Sequence, residues 1–318
     1  MASTSDDDSI SLLMSMGFDS SQAQQALQIC DGNVQRAVEC LLGGNLFSAA
    51  NASLSPSSND GGVNNIIQSE ITQYSNPLGR SACTAIALTL AHKSLELLHI
   101  DPVASPELRI DSALLTTSIN EGIQLYSNLI ANNNSNGGAE HSSVEDLLNA
   151  CSTLGNNDNN NNIISKLKML PNSPRQGILS SNNDQHNNMM GLEALLAQCQ
   201  MDAATAVTEQ QPYIAVVITK PPETILVILP NNNTASTSTT ISTNTNKYIL
   251  IDSHPRPQQL SPHHPTGSYA LFHPTLSSLI SSLKELFPVT ELGDGVPELM
   301  QMMYNSFDVY PFQLSSGE

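Results

Sequence analysis

The sequence is poor in basic residues, since 11 lysines and arginines stand against 29 aspartates and glutamates, for a formal net charge of -18. Nucleic acids and anionic membrane surfaces are bound through Lys and Arg side chains that neutralise phosphate. The excess of acidic residues therefore argues against nucleic acids and anionic membranes as partners, and it suits a basic protein partner better.

No apolar run reaches the length of a membrane-spanning helix, and the acidic N-terminus (Asp6, Asp7, Asp8) lacks a basic-then-apolar signal. We expect a soluble protein of the cytoplasm or nucleus.

Cysteine is scarce and shows no metal-ligand pattern. The five cysteines are odd in number and lie far apart in the sequence, at Cys30, Cys40, Cys83, Cys151 and Cys199. Such spacing favours reduced thiols over a disulfide framework and predicts no zinc site. No cofactor is expected.

Residues 8–44 carry the periodicity of three short helices. The first ends at Met16-Gly17-Phe18, Ser20 or Ser21 caps the second, and the third runs from about Asn33 to the Gly43-Gly44 stop. Three helices in so few residues form a very small bundle, in which an apolar loop residue is hard to bury fully. An exposed apolar loop favours a binding role over a purely structural one.

The same residues resemble a known module. The stretches LLMSMGF, QAQQAL and GNVQRAVECLL closely resemble the ubiquitin-associated (UBA) domain, and the resemblance covers the whole unit. It implies that ubiquitin's apolar surface is held by the Met-Gly-Phe loop and the end of the third helix. The positions concerned are Met16, Gly17, Phe18, Leu41 and Leu42.

A flexible linker is predicted for residues 45–62, which are rich in Ser, Asn, Ala and Gly. Residues 63–318 then combine helical periodicity with β-branched runs, which predicts an α+β domain with a mostly antiparallel sheet. Asn-, Ser- and Thr-rich inserts at 132–138, 156–162, 182–188 and 231–246 are predicted surface excursions. Helices are predicted at Ala82–Leu98, Pro106–Ala131, Val144–Leu154, Gly191–Gln200, Leu276–Phe287 and Glu298–Tyr304, and strands at Tyr213–Thr219, Thr224–Leu229, Lys247–His254 and Ser268–His273.

Cys83 is the leading nucleophile candidate. It follows a turn-rich loop, with Ser81 as the predicted N-cap, and lies in the first turn of a helix that is apolar on most sides. Unpaired backbone N–H groups and the positive end of the helix dipole favour a thiolate at such a position. The alternative is an inert cysteine, because free cysteines are among the most commonly buried residues.

Asp252 and His254 are the candidate partners of that cysteine. Alternation along a strand places them on the same face, so the carboxylate can hold one ring nitrogen while the other serves a thiol. Pro255 and Pro257 follow, which should end strand pairing and expose the tip. The alternative is a pair that merely caps the strand. His263 and His264 lie in the following Pro-rich loop and rank below His254 as the base.

An early cysteine on a helix and a late histidine on a sheet is the papain-like order. The stretches YSNPLGRSAC, YIAVVITKPPETILVIL, YILIDSHPR and SYALF resemble the ubiquitin-specific cysteine protease domain of herpesvirus large tegument proteins, over about residues 63–288. The resemblance implies a papain-like fold, with Cys83 as nucleophile, His254 and Asp252 completing the triad, and an upstream glutamine in the oxyanion hole. Gln68 fits the family spacing, whereas Gln73 is closer to the loop.

Together the two resemblances predict a deubiquitinase that cleaves the isopeptide bond after ubiquitin's C-terminal glycine. The expected partners are ubiquitin and polyubiquitin chains, with the UBA unit assisting chain binding, and a monomer is expected. One alternative is a non-catalytic ubiquitin-binding adaptor with a dead hydrolase-like domain. A cysteine hydrolase acting on another amide also fits the triad, but it gives no reason for a UBA unit.

Overall fold

The computed structural model describes residues 9–10, 13–14, 20, 23–24, 27, 65–100, 105–133, 142–153, 162–180, 189–205, 211–231, 247–293 and 295–315. The chain divides into two compact units, Met1–Gly62 and Val63–Glu318. In the first unit the described residues are helical, and four of them, Ser9, Leu13, Ala23 and Leu27, are buried. The linker at 45–62 and the predicted ubiquitin contacts Met16, Gly17, Phe18, Leu41 and Leu42 lie outside the described residues.

The second unit confirms the predicted α+β class. Its strands are β1 (Ile66–Ser69), β2 (Leu167–Met169), β3 (Arg175–Ile178), β4 (Tyr213–Lys220), β5 (Glu223–Pro230), β6 (Tyr248–Asp252), β7 (Ser268–His273) and β8 (Ser306–Leu314). Its α-helices are α1 (Cys83–Ile100), α2 (Ser112–Asn133), α3 (Val144–Thr153), α4 (Asn162–Ser165), α5 (Leu192–Thr205), α6 (Leu276–Leu286) and α7 (Glu298–Asn305). Short 3₁₀ helices occupy Gln73–Ser75, Pro77–Ser81 and Pro106–Leu108.

The strands form one antiparallel sheet in the order β1-β7-β6-β5-β4-β8-β2, with β3 pairing with β8 beside β2. The central β4–β5 hairpin pairs Lys220 with Glu223, so Pro221 and Pro222 form its turn. Its strands are runs of β-branched residues that are buried on both sides, as expected of a sheet with both faces covered.

Helices cover both faces of the sheet. On one face α1, α2 and α3 share an apolar core with Ala215, Val217 and Leu226. On the other face α5 and α6 share a second core with the sequence neighbours of those residues, Val216, Ile218 and Ile225. This alternation is the two-residue period of a strand, and it produces two separate apolar cores.

Helix α1 is buried on nearly every side, as its apolar sequence predicts, and it contacts α2, β4 and β5. The predicted helix Pro106–Ala131 is instead a 3₁₀ turn followed by α2, because Asp111 Oδ1 accepts a hydrogen bond from Leu114 N (2.7 Å) and restarts the helix there. In the described part of the chain, no helix is both long and apolar enough to cross a bilayer.

Candidate active site

The loop before α1 is held close to the preceding 3₁₀ helix by a glycine. A Cβ atom at Gly79 would lie 2.1 Å from the carbonyl oxygen of Gln73. Only glycine permits this approach, and the resulting contact brings Gln73 beside the segment that leads into Cys83. Ser81, the predicted N-cap, ends the 3₁₀ helix Pro77–Ser81, so Ala82 lies between it and Cys83.

Cys83 is the first residue of α1, and its side chain is enclosed, with 3% of the residue exposed. Its Sγ donates to the Pro222 carbonyl oxygen in the β4–β5 turn, at 3.8 Å. The neighbouring hydroxyls of Thr84 and Thr224 lie 3.1 Å from each other.

The expectation that the helix start favours a thiolate is wrong for this structure. Burial raises the pKa of the Cys83 thiol above its ordinary value, although hydrogen bonding from Thr224 and Thr84 lowers it in part. The cysteine therefore rests as a neutral thiol, and a base has to remove its proton before it can act as a nucleophile.

The side chains of Asp252 and His254 are in contact, but the backbone between them forms a turn rather than a strand. Strand β6 ends at Asp252, so His254 has left the strand and its alternation. Asp252 Oδ1 accepts from the backbone N–H of His254 (2.9 Å) and lies 2.5 Å from the ring Nδ1. The carboxylate thus fixes both the turn and the imidazole, which leaves Nε2 as the nitrogen for proton exchange.

His254 is buried, which contradicts the prediction of an exposed strand tip. Only 3% of the residue is exposed. The ring of Tyr74 meets its imidazole edge to face, with centroids 5.9 Å apart, while Tyr74 itself is half exposed. The two prolines do end the strand, but the 3₁₀ helix Gln73–Ser75 folds over the tip and shields the histidine.

Arg256 completes the surroundings of Asp252. Its Nε donates to Asp252 Oδ2 (2.8 Å), and the hydroxyl of Tyr269 donates to the same oxygen (3.3 Å). Burial alone would raise the pKa of Asp252, but the charges of Arg256 and His254 outweigh it and hold that pKa well below its usual range. Asp252 is therefore ionised at neutral pH and able to stabilise a protonated His254.

The β4–β5 turn is where the two halves of the site meet. Pro222 contacts the Cys83 thiol, and the next residue, Glu223, pairs with Arg256 through both carboxylate oxygens (3.1 and 2.8 Å). The turn thus touches the candidate nucleophile on one side and the Asp252–His254 pair, through Arg256, on the other.

The two candidate glutamines differ in their surroundings. Gln68 is exposed on β1, opposite Tyr269 of β7. Gln73 is buried; its backbone N–H donates to the Ser253 carbonyl (3.2 Å), its Oε1 accepts from Ser253 Oγ (3.0 Å) and its Nε2 donates to the Arg80 carbonyl (3.5 Å). Gln73 therefore touches both the residue between Asp252 and His254 and the loop before Cys83.

His263 and His264 lie in a separate turn, where both backbone N–H groups donate to the Leu260 carbonyl (2.8 and 3.2 Å). Among the described residues, no group of three or more His, Cys, Asp or Glu side chains is arranged to hold a metal ion.

Sequence reasoning did not assign roles to Tyr74, Glu223 or Arg256. Arg256 follows His254 by two residues within a Pro-rich stretch, and Glu223 stands at a hairpin turn. A charged residue at the start of the apolar strand β5 (Glu223), and another four residues after the end of the apolar strand β6 (Arg256), is the signal that points to these two.

Comparison with known proteins agrees with the N-terminal assignment. Residues 5–41 match the family model of the UBA/TS-N domain, so the chain carries a UBA domain at its N-terminus. The sequence matches no curated protein. The structure is similar to that of the ubiquitin-specific protease encoded by murine cytomegalovirus tegument protein M48, determined in complex with a ubiquitin-based suicide substrate. The TM-score is 0.46 and the identity 13%, over 79% of this chain and 88% of the viral one.

Proposed function

We propose that this protein is a deubiquitinase, a thiol-dependent hydrolase that cleaves the isopeptide bond after the C-terminal glycine of ubiquitin. The observation that carries the proposal is the shared β4–β5 turn, which contacts Cys83 through Pro222 and the Asp252–His254 pair through Glu223 and Arg256. An N-terminal UBA domain in the same chain supports ubiquitin as the substrate.

In the proposed reaction His254 Nε2 takes the thiol proton of Cys83, and the thiolate attacks the carbonyl carbon of the scissile bond. His254 then gives the proton to the leaving lysine amine as the C–N bond breaks. Water, deprotonated by His254, attacks the thioester and releases the ubiquitin carboxylate and the free thiol. Asp252 stays ionised throughout and stabilises the imidazolium that forms twice in the cycle.

The tetrahedral oxyanion needs hydrogen-bond donors near Cys83. We propose that the Cys83 backbone N–H and the Gln73 side-chain amide supply them. Gln73 is the better candidate of the two glutamines because it already contacts the loop before Cys83, whereas Gln68 is exposed on the edge strand.

The enclosure of the site supports a substrate with a thin, extended tail. Cys83 and His254 are both buried, and Tyr74 covers the imidazole. We infer that a flexible C-terminal tail, which can displace the Tyr74 ring, reaches these buried residues more readily than a folded loop does. The flexible C-terminus of ubiquitin has this form.

The second candidate function is a non-catalytic ubiquitin-binding adaptor. The raised pKa of Cys83 and its contact with the Pro222 carbonyl favour that reading, since an inert buried cysteine has the same properties.

Incubation of the full chain with ubiquitin that carries a C-terminal electrophile separates the two candidates. A deubiquitinase gains the mass of one ubiquitin, and Cys83→Ala abolishes that gain. Cys151→Ala is the matched control, because Cys151 is also a buried free cysteine but lies on α3. That variant should react like the wild type. A wild-type chain that forms no adduct but still binds ubiquitin would establish the adaptor instead.

A further inference from the structure

Helix α7 (Glu298–Asn305) turns its apolar side outward. Leu299 is 67% exposed and Met303 63%, and Met300 and Tyr304 beside them are exposed as well. The polar residue Asn305 is buried, and Gln301, one turn before it, is half buried. A surface helix normally has the opposite arrangement, with its apolar stripe against the core.

The orientation of α7 is fixed by specific polar contacts. Asn305 Oδ1 accepts from Thr290 N (2.7 Å), and its Nδ2 donates to the carbonyl oxygens of Thr290 (3.0 Å) and Gln301 (2.9 Å). Its backbone carbonyl accepts from Leu179 N (2.9 Å). These bonds hold the polar side inward, so the helix cannot rotate to bury its apolar side without losing them.

The helix lies at the same end of the sheet as the candidate active site. It leads directly into β8, where Asp308 stands opposite Thr219 of β4. Strand β4 ends one residue later at Lys220, and the turn that follows contains Pro222, whose carbonyl contacts Cys83 Sγ. Helix α7 therefore lies at the end of the sheet from which a substrate has to approach Cys83.

The surrounding sequence is acidic. No lysine or arginine follows Lys284 in the sequence, and the exposed residues Glu291 and Glu298 lie just before the helix and at its first position. An apolar surface in such a stretch complements a partner whose own apolar surface is rimmed by basic side chains.

We propose that the exposed side of α7, formed by Leu299, Met300, Met303 and Tyr304, docks the body of the ubiquitin whose C-terminal tail enters the site at Cys83. Ubiquitin offers an apolar surface flanked by lysine and arginine, which matches both features of the helix. The two exposed methionines suit such a surface, because flexible thioether side chains adapt to a partner. This inference rests on the proposed deubiquitinase function.

The test is the second-order rate constant of adduct formation between Cys83 and the ubiquitin electrophile at subsaturating concentration. Leu299→Gln combined with Met303→Gln should lower it about tenfold, the size of one interface hot spot. Glutamine is a good helix former, so α7 should persist. Reaction of Cys83 with iodoacetamide, a small reagent that needs no docking, should be unchanged.

Leu108→Gln is the matched control. Leu108 is 81% exposed, but its neighbour Glu107 pairs with Lys247 just before β6, at the opposite end of that strand from Asp252. This variant should react at the wild-type rate. If the wild type forms the adduct and the α7 double variant forms it equally fast, the docking proposal is wrong although the proposed function stands.

Hydrogen exchange of the Cys83→Ala chain tests the surface even if no adduct forms. Added ubiquitin should slow exchange in residues 298–305, and a lack of slowing would overturn the proposal. Slow exchange there before ubiquitin is added would also overturn it. Sedimentation would then identify the occupant as a second copy if the mass is doubled, or as another part of the same chain if it is not.

Discussion

Arg256 and Glu223 form a bidentate ion pair, with Nη1 to Oε1 at 3.1 Å and Nη2 to Oε2 at 2.8 Å. The Nε of the same guanidinium donates to Asp252. Because the guanidinium is planar and rigid, it fixes the end of β6 relative to the β4–β5 turn. It therefore links the carboxylate that orients His254 to the turn that contacts Cys83.

Replacing Arg256 should shift the pH dependence of catalysis. Arg256→Gln removes the charge that helps to hold the pKa of Asp252 low, so that pKa rises and the active carboxylate is lost at a higher pH. The acidic limb of kcat/KM for ubiquitin cleavage should move to higher pH. Arg256→Lys keeps the positive charge but not the bidentate geometry. In this variant the acidic limb should therefore return part of the way to its wild-type pH.

Arg175→Gln is the control for the loss of an arginine–aspartate pair elsewhere. Arg175 pairs with Asp202 of α5, away from the candidate site. Its variant should lose some stability and keep the wild-type pH profile. If Arg256→Gln lowers thermal stability but leaves the acidic limb of kcat/KM at its wild-type pH, Arg256 has a structural role only.

Gln73 should matter for turnover and Gln68 should not. Gln73→Glu keeps an oxygen to accept the hydrogen bond from Ser253 Oγ but removes the amide donor. Loss of an oxyanion donor lowers kcat by about 10²–10³ with little change in KM. Gln68→Glu introduces the same charge on the exposed edge strand and should leave kcat and KM nearly unchanged. Comparable losses in the two variants would contradict the assignment to Gln73.

Four of the eight strands, β4 to β7, could be predicted from the sequence because their signals are local. The runs YIAVVIT and TILVIL, with two prolines between them, predict a hairpin, and β4 and β5 form it within one residue of the expected bounds. Strands β2 and β3 have only three and four residues, too few to show a period, so the sequence does not predict them. Their place is set by pairing with the distant β8.

The candidate site was only partly predictable, because its surroundings come from segments far apart in the chain. Glu223 and Arg256 are 33 residues apart, and Gln73 and Ser253 are 180 apart. Neither contact follows from spacing in the sequence. For the same reason, the burial of Cys83 and His254, which reversed two expectations, depends on how the turn and the 3₁₀ helices close over them.

The UBA domain should act by tethering. The linker that the sequence predicts at residues 45–62, taken as a flexible chain, would have a root-mean-square reach of about 20–25 Å, enough for the UBA domain and Cys83 to engage neighbouring ubiquitins of one chain. Phe18→Ala should therefore slow cleavage of long chains at low concentration and leave turnover of a mono-ubiquitin fluorogenic substrate unchanged. An equal loss on both substrates would show that the UBA domain supports the catalytic unit itself.

His273, the last residue of β7, should make the fold sensitive to mild acid. It is buried opposite Tyr248, and its Nε2 has no hydrogen-bond partner in the described structure. Burial, together with the nearby charge of His263, lowers the pKa of His273 to about 4. The folded protein therefore keeps this imidazole neutral at pH values where an unfolded chain protonates it.

As the pH falls from 7 to 5, His273 becomes protonated in the unfolded chain but stays neutral in the folded protein. The free energy of unfolding therefore decreases. With an unfolded pKa of about 6.5, the loss from this group is about 2 kcal/mol. Urea unfolding followed by circular dichroism at both pH values should show a loss of stability that is about 2 kcal/mol smaller in His273→Leu than in the wild type, because burial also lowers the pKa of His92, which contributes in both proteins. Leucine replaces the imidazole by an apolar group of similar size. His99→Leu alters an exposed histidine at the end of α1 and should keep the wild-type pH dependence. An unchanged loss in His273→Leu would mean that other groups cause the acid sensitivity.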